Sequence, residues 1–189
     1  MRIIRDYQFI EPQDRGATVA IGNFDGVHIG HQKIIQRLNE IKNGTTERSM
    51  ILTFYPHPRM VLDQSNDIKM LTTMEEKTQL LEKFGLDDLI IEPFTKEFSR
   101  LSALDFVRDI LVRQLHIKQL VIGYDHHFGK NREGNFEQLI EFGELYGFNV
   151  EKISAQEIES VSVSSTKIRK AIEKNSFAEF RKKFYAESV

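Results

Sequence analysis

Short apolar runs rich in β-branched residues alternate with helical patterns along the chain, and this alternation most constrains how the chain can fold. The apolar runs cover residues 18–21, 50–55, 89–91, 120–122 and 148–153. Most of them are continuously apolar, as is typical of parallel strands that are covered on both faces. Because parallel strands need crossover connections, the pattern predicts an α/β fold with a Rossmann-like, three-layer open parallel sheet of about five strands and helices on both faces.

Single residues predict several helix boundaries. Four side chains are placed to cap a helix start, each with a partner three residues on: Thr73 with Glu76, Ser102 with Asp105, Asn135 with Gln138, and Ser176 with Glu179. Three glycines, Gly44, Gly85 and Gly147, stand where left-handed C-caps would end helices. We therefore expect one domain of five β–α repeats, with ligands bound beyond the carboxyl ends of the strands.

The composition excludes several classes of protein. The 189 residues include 26 Lys and Arg against 28 Asp and Glu, so no global positive field would hold a nucleic acid or an anionic membrane. The chain contains no cysteine, which excludes disulfides and thiolate metal sites and suits a reducing compartment. No apolar run approaches the roughly 20 residues of a membrane-spanning helix, and the start lacks a signal peptide pattern. We expect a cytoplasmic protein that acts on small molecules.

The segment GNFDGVHIGH, residues 22–31, combines three glycines at four-residue spacing with two histidines three residues apart. It follows a predicted strand and opens a predicted helix, whose free N–H groups and dipole attract phosphate. His28 and His31 would lie on one face and add two donors. Gly30 would let a phosphate or a flat ring approach the backbone. The plain structural alternative is a glycine-shaped turn followed by histidines that only cap the helix.

A second candidate phosphate site lies in SVSSTKIRKAI, residues 162–172, where hydroxyls and basic side chains occupy a probable helix start. Cations near a helix N-terminus oppose its dipole, at a cost of a few tenths of a kcal/mol to about 1 kcal/mol. A bound phosphate would offset this cost by accepting hydrogen bonds from Ser165, Thr166 and Arg169. Taken alone, the segment fits a plain serine N-cap with solvated basic residues better.

The two segments together resemble the HxGH and ISSTxIR motifs of the prokaryotic flavin adenylyltransferases, a branch of the HxGH nucleotidyltransferase superfamily. Five further segments resemble family segments in order and spacing: TFYPHPRMVL, LTTMEEKTQLLEKFGLDDLI, FSRLSALDFVRDILV, VIGYDHHFGKNREGNF and YGFNV. The chain is thus similar to the FMN adenylyltransferase (FAD synthetase) domain of the bifunctional riboflavin kinase/FAD synthetase family. It departs from the family at Val163, where Ile is usual, and at His126, where many members have an aromatic residue.

The resemblance implies that residues 1–189 form an FMN adenylyltransferase domain. Such an enzyme transfers AMP from ATP to FMN and releases pyrophosphate, by direct in-line attack without a covalent enzyme intermediate. The kinase half of the family, a small β-barrel with a PTAN motif, has no counterpart in this sequence, so we do not expect riboflavin phosphorylation. Mg²⁺ would come with ATP rather than occupy a preformed site. Asp25 is a candidate magnesium ligand, although an Asp before Gly is as often a turn former.

The resemblance also implies roles for individual residues. The catalytic residues would be His28, His31 and Arg169, with Arg169 clamping the β and γ phosphates. The nucleotide-binding residues would be Gly22, Asn23, Phe24, Gly30, Ser165 and Thr166. The flavin-binding residues would be Phe54, Asp125, Phe128 and Arg132. For Phe54, packing in the core is the simpler interpretation.

Three other functions stay open. A zinc hydrolase could use His28 and His31 with His126 and His127, but the last two are adjacent and would point in opposite directions on an extended chain. Another HxGH nucleotidyltransferase, which uses CTP or accepts pantetheine phosphate, would share the first motif. A nucleotide- or flavin-binding module without catalytic activity is the third alternative.

Overall fold

Six parallel strands form one open sheet in a computed structural model of the protein, which describes residues 1–11, 16–43, 45–63, 68–124, 126–154 and 164–173. The strands are β1 (Arg2–Arg5), β2 (Thr18–Ile21), β3 (Ser49–Tyr55), β4 (Asp88–Pro93), β5 (Gln119–Gly123) and β6 (Asn149–Ile153). Their order across the sheet is β1-β4-β3-β2-β5-β6, and every neighbouring pair is parallel. The predicted α/β fold with an open parallel sheet is confirmed.

Helices cover both faces of this sheet. Alternate residues of a strand point to opposite faces, so each face has its own apolar core, which helices cover. The helices are α1 (Ile29–Lys42), α2 (Pro58–Leu62), α3 (Met74–Lys83), α4 (Ala103–Asp105) with its π-helical continuation (Phe106–Gln114), α5 (Phe136–Tyr146) and α6 (Ser165–Glu173). Helices α1 and α3 pack on one face, and the π-helix and α5 pack on the other. Within the described part of the chain, no helix is long and apolar enough to span a membrane.

Helix boundaries follow local sequence signals. Three predicted N-caps are observed, and in each the side chain accepts a backbone N–H three residues on: Thr73, Ser102 and Asn135. The predicted left-handed glycines Gly85 and Gly147 have φ angles of 78° and 79°. The remaining predicted boundary residues, Gly44, Ser176 and Glu179, lie outside the described part of the chain.

The expected number of strands was too low by one, because β1 was overlooked. This strand lies at the edge of the sheet and pairs with β4, and Ile4 is the one buried side chain among its four residues. An edge strand that buries so little needs no continuous apolar run. The sequence RIIR therefore lacks the continuous apolar signal of the four inner strands. The other edge strand, β6, also has one buried side chain, but the buried Phe148 that precedes it contributes to the apolar run 148–153.

The direction of strand addition reverses at β2, which lies between β3 and β5. Strands β3 and β4 follow on one side of β2, and β5 and β6 lie on the other. Loops that leave the carboxyl ends of β2 and β5 therefore diverge, and open α/β sheets bind ligands in the crevice that such loops leave. The histidine-containing segment follows β2, so the fold places it beside this crevice.

A buried carboxyl group near the end of β4 gives a prediction about stability. Glu92 accepts a hydrogen bond of 3.1 Å from the Tyr7 N–H, yet burial raises the pKa of Glu92 from 4.5 to about 7. The folded pKa is above the unfolded one, so stability from this group is present below pH 4.5 and is lost as the pH rises through 7.

We expect Glu92→Gln, which stays neutral and keeps an acceptor for the Tyr7 N–H, to raise the free energy of unfolding by about 1–3 kcal/mol at pH 8. The difference should vanish near pH 4.5. Urea unfolding at both pH values measures it. Glu137→Gln on the exposed surface of α5 is the control, and its effect should not change with pH. An equal gain for Glu92→Gln at both pH values would contradict the assignment.

Candidate functional site

The loop that joins β2 to α1, residues 22–28, has an uncommon backbone conformation. Phe24, Gly26 and Val27 have φ angles of 50°, 78° and 37°, and the side chains of Phe24 and Val27 are buried. A left-handed φ is unfavourable for a β-branched residue, so packing of these side chains must hold the loop. Such enforced backbone strain is concentrated at ligand sites in proteins.

The two histidines lie at the start of α1 and contact each other. His28 is the N-cap, and its Nδ1 accepts the His31 N–H at 3.4 Å. The imidazole rings stack with centroids 3.6 Å apart, and the Phe24 ring lies 4.8 Å from His31. Burial, followed by the nearby His28 and Lys77, lowers the pKa of His31 well below 6.5. His31 is therefore neutral at pH 7 and can donate one hydrogen bond rather than two.

Two buried polar atoms beside this loop have no hydrogen-bond partner among the described residues. They are the Oδ1 atom of Asn23 and the Nδ1 atom of His31. Unpaired buried polar atoms are uncommon in native proteins, and both atoms belong to residues predicted to contact a nucleotide. A polar ligand in the crevice would supply the missing partners.

Asp25 connects the loop to two distant parts of the chain. Asp25 is 1% exposed. Its carboxylate accepts the Leu71 N–H at 3.0 and 3.1 Å and the Thr72 N–H at 3.2 Å. The Nη2 of Arg169 pairs with Oδ2 of the carboxylate, which the Leu71 N–H also contacts. Both oxygens are occupied, so a magnesium ion could bind this carboxylate directly only by displacing one of these partners.

The start of α6 is held against the same loop. Ser165 Oγ donates to the Asp25 carbonyl at 3.0 Å, and the Nε of Arg169 donates to the Lys69 carbonyl at 2.8 Å. Thr166 is exposed beside Ser165. The two predicted phosphate motifs, far apart in sequence, thus meet at one loop, which begins at Gly22 and ends at the histidines.

Sequence reasoning overlooked Lys77, which lies behind this loop on α3. Its Nζ donates to the Asn23 carbonyl at 2.7 Å, and Thr53 Oγ1 donates to the same oxygen at 3.2 Å. The residue is 2% exposed; burial lowers its pKa to about 8, although Asp25 acts to raise it. The sequence does contain a signal for this burial. Lys77 lies four residues before Leu81, so the two side chains share one face of α3.

His57 also lies near this site, beside the charge of Arg169. It caps α2, and its Nδ1 accepts the Arg59 N–H at 3.2 Å. Burial, followed by the nearby charge of Arg169, lowers the pKa of His57 to about 4. Like His31, it is neutral at pH 7, so the positive charges around the loop come from Lys77 and Arg169.

The residues predicted to bind flavin fall into different environments. Phe54 and Phe128 belong to one aromatic cluster, linked through Phe98 and Phe106 with centroid distances of 5.7, 6.2 and 6.0 Å. Phe128 is 7% exposed, and its ring lies so close to Gly134 that a Cβ there would come within 2.6 Å of it. Arg132 is exposed on the 3₁₀ turn Lys130–Arg132. Asp125 lies outside the described residues.

The described part of the chain offers no support for a zinc site. It contains no group of three or more His, Asp or Glu side chains placed to hold a metal ion. His28 and His31 use their rings to stack on each other, and the His126 ring stacks on Phe128 at 6.1 Å.

The sequence of the chain is similar to one family of proteins. A model of the FAD synthetase family matches residues 10–167. The curated relatives of the chain include proteins named bifunctional riboflavin kinase/FMN adenylyltransferase. The chain is 37% identical to the Buchnera aphidicola protein over 175 residues, 93% of this chain and 56% of the relative. The Listeria monocytogenes protein is 38% identical over 84% of this chain and 50% of the relative. The Escherichia coli protein is 33% identical over 94% of this chain and 57% of the relative. The chain spans about half the length of these relatives.

Two solved structures share the fold. A macrolide-efflux protein from Streptococcus pneumoniae superposes with a TM-score of 0.75 at 22% identity, over 90% of this chain and 56% of that one. A pantoate-β-alanine ligase from Francisella tularensis superposes with a TM-score of 0.52 at 11% identity, over 92% of this chain and 77% of that one. Identities this low establish a common architecture and nothing about activity.

Proposed function

Because this chain belongs to the FAD synthetase family, we propose that it is an FMN adenylyltransferase, which makes FAD and pyrophosphate from FMN and ATP. The observation that carries the proposal is the meeting of two helix starts at one loop, through the Ser165 and Arg169 contacts with Asp25 and the His28 cap of α1. A triphosphate along this loop would meet two helix N-termini, which both favour negative charge.

The proposed reaction needs alignment more than acid–base chemistry. An oxygen of the FMN phosphate forms a bond to the α-phosphorus of ATP, and the bond from that phosphorus to the bridging oxygen breaks, so pyrophosphate leaves with the electron pair. By analogy with phosphorylated side chains, the FMN phosphate has a second pKa of about 6, so it is mostly a dianion at pH 7 without any protein base. Hydrogen-bond donors and positive charge must then be placed where negative charge accumulates.

The donors at the loop suit this task. Neutral His31 can donate one hydrogen bond. The Nδ1 of His28 accepts the His31 N–H, so His28 would donate to a phosphate through its other ring nitrogen, Nε2. Arg169 has five N–H groups, and its contacts with Asp25 and Lys69 use two of them. The three N–H groups that have no partner among the described residues are the proposed clamp for the β and γ phosphates.

The start of α6 contributes mainly through its backbone and Thr166. The Ser165 hydroxyl donates to the Asp25 carbonyl, so it cannot donate to a phosphate at the same time. The free N–H groups of the helix start and the exposed Thr166 hydroxyl are the proposed phosphate donors there. Asn23 would contact the nucleotide through its unpaired Oδ1, and Gly22, Phe24 and Gly30 would line the nucleotide.

Magnesium would enter this site with ATP. Mg²⁺ prefers oxygen ligands and keeps several waters, and the occupied Asp25 carboxylate fits a role as anchor of Arg169 better than one as a metal ligand. When bound to the phosphates, the ion would neutralise charge on the departing pyrophosphate. The flavin would lie toward Phe54, Phe128, Arg132 and Asp125.

The relatives are bifunctional, and we propose that residues 1–189 correspond to their adenylyltransferase portion. A cytoplasmic location is proposed as well, on the absence of cysteine from the sequence.

An assay of the protein with FMN, ATP and Mg²⁺, read by chromatography, tests the proposal. We expect FAD and pyrophosphate in equal amounts, a loss of turnover with a chelator, and no stoichiometric zinc in the purified protein. CTP in place of ATP, and pantetheine phosphate in place of FMN, should give no product. Binding of FMN and ATP without FAD would favour the non-catalytic module, and turnover with either replacement would favour another nucleotidyltransferase.

A further inference from the structure

Lys77 is a buried cation that the proposed chemistry does not yet use. It is 2% exposed, and within the described residues its hydrogen bond goes to a neutral carbonyl, that of Asn23, rather than to a carboxylate. Lysines are almost never fully buried unless paired, because an unpaired ammonium loses its hydration without compensation. A charge kept under these conditions indicates a function.

The hydrogen bond of Lys77 fixes a critical peptide of the loop. The ammonium at 2.7 Å and the Thr53 hydroxyl at 3.2 Å occupy the Asn23 carbonyl together. This carbonyl belongs to the peptide that leads into Phe24, whose φ of 50° is rarely adopted by residues other than glycine. The side chain of Asn23, with its unpaired Oδ1, extends from the same backbone. Lys77 thereby controls where Asn23 points.

The titratable groups that face Lys77, among the described residues, compensate its charge only in part. They are Asp25 on the same loop as Asn23, His31 on α1 and His57 after β3. Both histidines have pKa values far below 7, and Lys77 contributes to lowering each of them. Asp25 is already paired with Arg169. An anion on the loop would be the missing partner.

We infer that Lys77 is a positioning residue of the nucleotide site: it holds the Asn23 peptide and puts a positive charge behind the loop on which the ATP phosphates lie. The inference rests on the proposed function for its substrate. In this inference, Lys77 touches neither ATP nor FMN. It acts through the position of Asn23 and through the electrostatic field of its ammonium group.

The test compares Lys77→Met, which keeps the length and apolar stem of the side chain, with Lys83→Met, an exposed lysine on the same helix. We expect Lys77→Met to lower kcat/KM for ATP by about 100-fold. A loss of this size is typical when a residue outside the reacting groups no longer holds the substrate in the correct position. The ATP dissociation constant should rise, and KM for FMN should stay unchanged. The melting temperature at pH 7 should not fall, because the variant removes a buried charge. Lys83→Met should match the unsubstituted protein.

A pH profile separates positioning from simple packing. Burial lowers the pKa of Lys77 to about 8, so the charge is lost above that pH. The kcat/KM for ATP should fall as the pH rises through 8 in the unsubstituted protein, and this decline should be absent in Lys77→Met. Wild-type kcat/KM and ATP affinity in a folded Lys77→Met would overturn the inference, as would a loss that follows a lower melting temperature.

The same measurements distinguish failure of the proposed function. If the unsubstituted protein binds ATP but forms no FAD, the adenylyltransferase proposal fails, and the ATP dissociation constant alone then decides on Lys77. An affinity unchanged by Lys77→Met would overturn the inference in that case. If the unsubstituted protein does not bind ATP, both proposals fall.

Discussion

Replacement of His31 by alanine is expected to lower kcat for FAD formation by about 10²- to 10³-fold, the usual loss when one donor to a developing negative charge is removed. The imidazole is enclosed by His28 and Phe24, so its position is set before ATP binds. Its Nδ1 is buried without a partner among the described residues. The rate of FAD formation at saturating FMN and ATP measures the effect.

The control for this variant is Gln36→Ala, on the exposed side of α1, which should retain full activity. Because burial keeps the pKa of His31 well below 6.5, the imidazole does not titrate between pH 6.5 and 8. The ratio of wild-type to His31→Ala rates should therefore be constant over this range. A ratio that decreases as the pH rises would mean that His31 acts as a cation, contrary to the assignment.

Replacement of Asp25 by asparagine is expected to have the largest combined effect on stability and activity. Breaking a buried ion pair by removing one partner costs about 3–5 kcal/mol, and we expect about 3 kcal/mol here because Arg169 is 15% exposed and keeps some contact with water. The asparagine amide would also bring N–H donors toward the N–H groups of Leu71 and Thr72, which now donate to the carboxylate. Urea unfolding measures this loss.

The same variant should lower kcat/KM for ATP, because Arg169 would lose the contact that orients its guanidinium. Asp109→Asn is the matched control. Asp109 pairs with Arg108 and Arg113 at the surface, where ion pairs contribute little, so stability and activity should barely change. If Asp25→Asn proved as stable and as active as the unsubstituted protein, the proposed anchoring of Arg169 would be wrong.

Local physics explains which parts of the fold were predictable. The four inner strands, the edge strand β6 and the caps at Thr73 and Asn135 depend on hydrogen bonds and side-chain periodicity within a few residues, and the structure confirms them. The edge strand β1 depends instead on pairing with β4, more than 80 residues away. With one buried side chain, it left almost no local pattern to detect.

The candidate site divides in the same way. GNFDGVHIGH and SSTKIR each identify a helix start suited to phosphate, because free N–H groups and their flanking residues are adjacent in sequence. The binding of phosphate by these two segments stays a prediction. So does the binding of flavin by Phe54, Phe128, Arg132 and Asp125, the last of which lies outside the described residues. No pattern in the sequence predicts that Asp25 holds Arg169 or that Ser165 donates to the Asp25 carbonyl.

The sequence by itself determined the layered α/β architecture, most element boundaries and the two helix starts that are predicted to bind phosphate, because each is encoded by neighbouring residues. Tertiary structure alone decided that the motifs share one loop, that Lys77 is buried behind it, and that Phe128 packs inside an aromatic cluster. Those outcomes depend on contacts between residues tens to more than a hundred positions apart. Such contacts are selected by the packing of the whole sheet, which no short segment specifies.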